Sequence, residues 1–354
     1  MENAVNNLFS WFQRAGRDLP WRKTRDPYPV WMSEVILQQT RVAQGEPYYH
    51  RFLNAFPTIF QLAEAPEEKI LELWQGLGYY SRARNLHETA RIIVHQHQGV
   101  FPNTYAQLLQ LKGIGPYTAA AIASFCFGEN IPVVDGNVIR VITRYLAIPE
   151  DVRLPFVQES VRLFSAQWFP EGQSWTYNQA IMELGALVCL PKNPLCSECP
   201  FFAGCEARKK NLIPQIPFKS KAAKKRKRYL NYLLLEFNQE VFFQKRGSKD
   251  IWEGLFEPIL VESEQVFFEF SSFENSLDID FRHVKKLKWS PTMKHLLTHQ
   301  ELYVTVCKVE FSVLPSGLPP GRWVNKADLP ALPKPIIFSR ILGLEKSTPL
   351  PLNF

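Results

Sequence analysis

No stretch of this 354-residue sequence approaches the uninterrupted apolar length that a bilayer demands, which argues against a membrane-spanning role. The opening segment, MENAVNNLFSWFQRAGRDLPWRK, lacks the apolar core of a secretory leader. Cysteine is scarce outside one loop. Of six, only Cys126 and Cys307 stand apart, which is too few for a disulfide framework and suits a reducing, cytoplasmic interior. Histidine is missing altogether between His97 and His283, so any metal bound there must rely on other side chains. An acidic excess is absent too.

The formal net charge is +7, and it is concentrated. In KSKAAKKRKR, Lys219 to Arg228, seven of ten residues are basic and none is acidic, so this run alone equals the whole excess. Coming after the proline-spaced IPQIPF, it reads as an exposed linker, either a solvated tether or a strap that touches phosphates. With 46% apolar and 13% aromatic residues, the rest can fill the cores of two or three domains.

Before the basic run the periodicity is helical. Apolar residues recur at intervals of three and four through Val30 to Val42, Ala106 to Phe127 and Val138 to Leu146, with Pro and Gly at the joints. After it, YLNYLLLEF, EVFFQKRG and ELYVTVCKVEF alternate in period two and predict strands. The expected organisation is multidomain: an all-α module over 1–213, a basic linker over 214–228 and an α/β module over 229–345.

Four cysteines, Cys189, Cys196, Cys199 and Cys205, fall within seventeen residues at gaps of six, two and five. Thiolates this dense in one loop point to a metal, with an iron–sulfur cluster favoured. Zinc is the rival, but its structural sites more often pair two Cys-x-x-Cys knuckles or add histidines, and only Cys196 and Cys199 make such a pair. Upstream, LKGIGPYTAAAIASF (111–125) sets Gly113 and Gly115 in a tight turn between helices. The following helix start offers unpaired N–H groups to an anion. In VVDGNVIRV, Asp135 precedes a helical pattern, as an ordinary N-cap or as a carboxylate kept ionised by the helix dipole for chemistry. Glu34 in WMSEVILQQTRV, taken alone, is an ordinary helical glutamate.

The cysteine spacing resembles the cluster loop of the endonuclease III superfamily of DNA base-excision glycosylases. The 111–125 segment, spanning about 107–125 with its first helix, resembles the helix–hairpin–helix of that superfamily, which grips a DNA phosphate through main chain. Bifunctional members carry a lysine after the hairpin proline and cleave the strand through a Schiff base. Here that position is Tyr117, so the reaction should stop at base removal. WMSEVILQQT resembles the catalytic helix of MutY-type adenine DNA glycosylases, and Glu34 is what endonuclease III proteins lack there.

That resemblance implies roles. Glu34 is the general acid on adenine N7 and Asp135 the carboxylate that stabilises or bonds C1′, while Tyr117 and Asn137 orient them. Gln179 in WTYNQAIMELG hydrogen-bonds the extruded adenine, and Trp21 and Arg22 line its pocket. Gln39, with Thr40 beside it, and Tyr79 in GLGYYSRARNL contact the DNA stack as the base is flipped. The four cysteines hold a structural [4Fe–4S] cluster. DIWEGLFEPILVE resembles the Trp-rich segment of Nudix-like domains, but no Arg-Glu-x-x-Glu-Glu metal box follows, which favours recognition over pyrophosphate hydrolysis. In the MutY family this domain reads 8-oxoguanine through a Phe-Ser-His loop, and the aligned residues are Leu297, Thr298 and His299. The expected protein is a monomeric adenine glycosylase acting on A:8-oxoguanine or A:G in duplex DNA, in the cytoplasm and associated with the nucleoid. Two alternatives stay open: an endonuclease III-like enzyme for oxidised pyrimidines, and a non-catalytic iron–sulfur DNA-binding protein in which Glu34 and Asp135 do not face one site.

Overall fold

Residues 2–168, 170–220 and 224–344 are described by the structure, a computed structural model. The chain divides into two compact units, 1–65 with 85–221 and 66–84 with 222–354. Among the described residues no helix is long and apolar enough to cross a membrane.

The first unit is helical, as its periodicity predicts. Helices Gly136–Leu146 and Ser174–Leu187 bury Val138, Val141, Ile142, Tyr177, Ile181 and Leu184 in one core with Leu8 and Trp11 of helix Glu2–Ala15. Helix Pro116–Phe127 packs through Ala120, Ala121 and Phe125 against Val30 of helix Pro27–Leu37. Its alanines lack bulk, so neighbouring backbones can come close. The helix starts with Pro116 at its first position and ends at Gly128, whose φ of 72° supplies the left-handed C-cap.

Two local expectations need correction. The repeat from Val30 to Val42 is not one helix: it stops at Leu37, Gln39 takes a φ of 57°, and a new helix runs Val42–Ala55. The hairpin glycines also differ in kind. Gly113 has a φ of 74°, and a Cβ there would stand 2.6 Å from Asn85 Cβ, so it needs to be glycine. Gly115 caps the next helix at a φ of −87°, which any residue adopts, and a Cβ there would meet nothing within 4 Å. Its smallness leaves open space before the helix start and is not required by the turn.

The second unit is built on strands β1 (Arg226–Phe237), β2 (Glu240–Lys245), β3 (Phe256–Glu257), β4 (Ile259–Ser263), β5 (Val284–Trp289), β6 (Met293–Leu296), β7 (Gln300–Phe311) and β8 (Arg322–Asn325). The main path runs β3-β2-β1-β7-β5, with β4 also on β1, β6 on β7 and β8 on β2. β1 and β7 lie parallel from Arg226 opposite Gln300 to Glu236 opposite Glu310. Period two sorts the side chains: Leu230, Tyr232 and Leu234 join Val304 and Phe338 on one face, while Leu233 and Leu235 join Val309 and Phe273 on the other. This unit is a Nudix-like α/β sheet domain.

The basic linker expected over 214–228 ends sooner, because Arg226–Arg228 already belong to β1. Arg228 is buried and donates to Asp250 at 2.6 and 2.7 Å and to Glu262 at 2.7 and 2.6 Å. Lys221 to Ala223, the middle of the run, lie outside the described residues, as does residue 345 at the expected end of the module. Residues 66–84 group with the sheet: Glu68 pairs with Arg322 at 3.0 Å, and Arg84 donates to Glu253 O at 2.6 Å. Three acids of this unit are engaged by arginine. Asp250 and Glu262 bind Arg228, and buried Glu257 accepts from Arg246 at 2.9 and 2.8 Å.

Candidate active site

Glu34 lies on helix Pro27–Leu37 with 7% of its surface exposed, so it is not a solvated surface residue. Tyr117, at the start of helix Pro116–Phe127, donates its hydroxyl to Glu34 Oε2 at 2.6 Å. Burial raises Glu34 to about 7; the Tyr117 bond and the Arg22 charge lower it, and the negative charge of Asp135 raises it. A carboxylic acid that keeps its proton near neutrality can give that proton away.

Asp135 is the N-cap of helix Gly136–Leu146. Its Oδ1 accepts from Val138 N at 2.8 Å and its Oδ2 from Asn137 Nδ2 at 2.7 Å. Burial raises its pKa, and these donors, together with the Arg140 charge, pull it back down. Glu34 and Asp135 lie within range of each other's charge, and Tyr117 responds to both, so the three groups share one site. Their environments differ: one carboxyl is desolvated with a single donor, while the other is desolvated but held by several.

Asn137 is itself fixed. Arg140 Nη2 donates to Asn137 Oδ1 at 2.7 Å and to Gly185 O at 2.8 Å, while its Nε donates to Cys189 O at 2.7 Å. The contact with helix Ser174–Leu187 needs a glycine, because a Cβ on Gly185 would stand 2.5 Å from Asn137 Cβ. On the same helix, Gln179 Oε1 accepts from Arg22 Nε at 2.6 Å, and Glu183 accepts from Arg22 Nη2 at 2.8 Å. Arg17 closes the group with two side-chain bonds to Glu183, at 2.8 and 2.7 Å. Glu183 settles at about 2, its burial outweighed by these arginines. Trp21 is buried edge-on against Tyr49, with ring centroids 5.2 Å apart.

The four clustered cysteines converge: Cys189, Cys196, Cys199 and Cys205 line one pocket together with Pro194, Phe202 and Arg208. Arg144 fastens this loop by donating to Leu190 O at 2.7 Å, Pro191 O at 3.0 Å and Cys189 Sγ at 3.4 Å. Burial pushes the Cys199 thiol up to about 12, and the three neighbouring sulfurs add to the rise. Four thiolates in such a place need a cation between them. Among the described residues no three His, Cys, Asp or Glu are placed to hold a single metal ion. Four cysteine sulfurs from one short loop facing one pocket are the donor set of an iron–sulfur cluster, and the residues present fit such a group.

Lys112, the lysine nearest the hairpin, pairs with Glu88 at 2.5 Å. Gln39 is exposed and Thr40 half-buried just after the Glu34 helix. Tyr79, 44% exposed with a φ of 48°, shares a 2.8 Å hydrogen bond between its hydroxyl and Thr298 Oγ1. Thr298 and His299 are exposed between β6 and β7. The structure thus joins Glu34, Tyr117, Asp135 and Asn137 in one group, Arg22 and Gln179 in a second, the cysteines in a third and Tyr79 with Thr298 in a fourth. Sequence reasoning missed Arg140, Gly185, Glu183 and Arg144. An arginine three residues after Asn137 in an otherwise apolar stretch was the available signal for Arg140.

Residues 32–162 match the HhH-GPD superfamily of base excision DNA repair proteins, and residues 231–344 match the NUDIX domain. The adenine DNA glycosylase of Buchnera aphidicola subsp. Baizongia pistaciae is 34% identical over 305 residues, which are 84% of this chain and 83% of that protein. That of Rattus norvegicus is 46% identical over 213 residues, 58% of this chain and 41% of that protein. Among solved structures, a thermostable thymine-DNA glycosylase is similar at a TM-score of 0.55 and 27% identity, covering 59% of this chain and 98% of that one.

Substituting Gly185→Ala tests the helix contact. The added methyl should displace Asn137 and lower stability by about 1–3 kcal/mol, read as a fall in the denaturation midpoint. An unchanged midpoint would contradict the close packing of the two helices.

Proposed function

The chain belongs to the adenine DNA glycosylases of the HhH-GPD superfamily, enzymes of base excision repair, and we propose that it removes adenine paired with 8-oxoguanine or guanine in duplex DNA without cutting the strand. The observation that carries this reading is the desolvated Glu34, raised to about 7, beside an Asp135 that accepts from the Val138 N–H and the Asn137 amide within the field of Arg140. An N-glycosidic bond needs both: an acid for the departing base and a carboxylate for the cation left on the sugar.

The steps follow from these positions. With adenine extruded from the stack, Glu34 gives its proton to N7 as the bond from N9 to C1′ breaks, and adenine leaves with the bonding pair. Asp135 stabilises or bonds the cationic C1′. Water then attacks C1′ and loses a proton to Glu34, which restores the acid and leaves an abasic sugar. Tyr117 orients Glu34, and Asn137 orients Asp135. Gln179, steadied by Arg22 against Glu183, hydrogen-bonds the base. Without an amine at position 117, no Schiff base forms, and Lys112 is engaged with Glu88.

Gln39, Thr40 and Tyr79 act on the stack, Thr298 and His299 read the opposite base, and the open space at Gly115 admits a phosphate to the helix start beyond Gly113. The four cysteines would hold a [4Fe–4S] cluster in a structural part, which would neutralise their thiolates, while Arg144 and Arg140 tie their loop to the Asp135 helix. The enzyme works as a cytoplasmic monomer on DNA.

The test uses holo-protein with end-labelled duplexes holding A:8-oxoguanine, A:G or thymine glycol:A. Product should come from the adenine duplexes and only after alkali, while strand breaks without alkali on thymine glycol would move the protein to the endonuclease III class. Glu34→Gln should slow base release by roughly 100-fold or more yet bind DNA normally, and near wild-type turnover would remove Glu34 as the acid. Iron and sulfide assays should return about four of each per chain, and stoichiometric zinc instead would contradict the cluster.

A further inference from the structure

Leu297, Thr298 and His299 connect β6 to β7, with Leu296 opposite Glu301 in the last pair of the ladder and Thr298 and His299 the two residues at the tip, between Leu297 and Gln300. Two-residue hairpins usually use turns with positive φ, since these match the twist of the strands, and other turns splay them. Neither Thr298 nor His299 is among the residues with positive φ. Leu297 N donates to Gln300 O at 2.9 Å, but among the described residues the reverse bond, from Gln300 N to Leu297 O, is not formed. The turn lacks the usual bond to the carbonyl of its first residue, and the Leu297 N–H alone joins its ends.

Groups from outside the hairpin take the places of the missing closure. Leu297 O accepts from Lys225 Nζ at 2.7 Å. His299 O accepts from Arg226 N at 3.1 Å, and the Thr298 hydroxyl meets Tyr79 Oη at 2.8 Å. Three consecutive residues are thus each fixed by a different partner. Two of those partners come from the basic run, whose sequence suggested only a tether or a phosphate strap. The backbone bond of Arg226 continues the parallel pairing of β1 with β7 and would survive any side-chain change. Lys225 acts through its side chain alone.

We propose that Lys225 is a positioning residue for reading the opposite base: its ammonium holds the Leu297 carbonyl that the turn itself leaves unbonded and so sets where Thr298 and His299 meet that base. The inference rests on the reading of this loop as the lesion reader. It assigns Lys225 to specificity and not to the general attraction of DNA phosphates.

The two roles separate experimentally. A phosphate contact weakens binding on every duplex alike and contributes about one unit to the slope of log affinity against log salt. A positioning contact changes the preference between duplexes and leaves the slope alone. Dissociation constants would be measured over a salt series for duplexes carrying A opposite 8-oxoguanine or opposite G. The proteins are Glu34→Gln, to prevent turnover, and the same protein with Lys225→Ala, Lys225→Arg or Thr298→Ala added. Lys225→Ala should reduce the preference for 8-oxoguanine about threefold to tenfold with an unchanged slope, as loss of one hydrogen bond allows. Lys225→Arg, which can still donate to Leu297 O, should restore it. Equal weakening on both duplexes with a shallower slope, or no effect where Thr298→Ala has one, would overturn the role of Lys225 alone. No preference in the parent protein would overturn the lesion-reading assignment, and this inference with it.

Discussion

Two carboxylic acids kept from water within reach of each other's charge resist ionising together, and the arrangement around Glu34 and Asp135 is organised by how that conflict is resolved. Burial raises both. Asp135 receives a helix N–H, the Asn137 amide and the field of Arg140, all of which favour its anion. Glu34 receives one phenol, and the Asp135 anion raises it further. The asymmetry biases the shared proton toward Glu34.

The surrounding structure can be followed outward from this pair. Asp135 depends on Asn137, Asn137 on Arg140, and Arg140 on two carbonyls, Gly185 O and Cys189 O. The second of these carbonyls belongs to a cysteine of the clustered loop, so the loop and the Asp135 cap share one arginine. Gly185 lets the two helices approach closely enough for these bonds to form. On the other side, helix Ser174–Leu187 carries Gln179 and Glu183 one turn apart, and Arg22 spans both. A single helix thus supports the Asp135 cap, Gln179 and the start of the cysteine loop.

Much of this was legible in sequence where partners lie close along the chain. The cysteine spacing announced a convergent group of sulfurs because all four fall within one short segment, and Asp135 announced a cap because its partners, Asn137 and Val138, are two and three residues on. Glu34 was legible only through resemblance, since nothing local distinguishes a buried helical glutamate from an exposed one. Gly185 and Glu183 were not legible, because their partners lie between 45 and 166 residues away, and Arg140 left only its spacing from Asn137 as a trace while its bonds to Gly185 and Cys189 reach 45 and 49 residues on. The basic run shows the limit of composition. Its charge was evident, yet Arg228 is buried between two acids and Lys225 is bound to a carbonyl, destinations that a count of lysines does not contain.

The most direct test of the central claim, that Glu34 is a proton donor made by burial, is the pH dependence of single-turnover base release from saturating A:8-oxoguanine duplex. Glu34 lies near 7 in the folded protein, so its protonated fraction is complete below that value and falls about tenfold per pH unit above it. The account therefore predicts a rate that declines as pH rises through about 7, and a Tyr117→Phe variant whose decline is moved to higher pH because the bond favouring the anion is gone. A rate that rises with pH, or stays level from about 5 to 9, would contradict it.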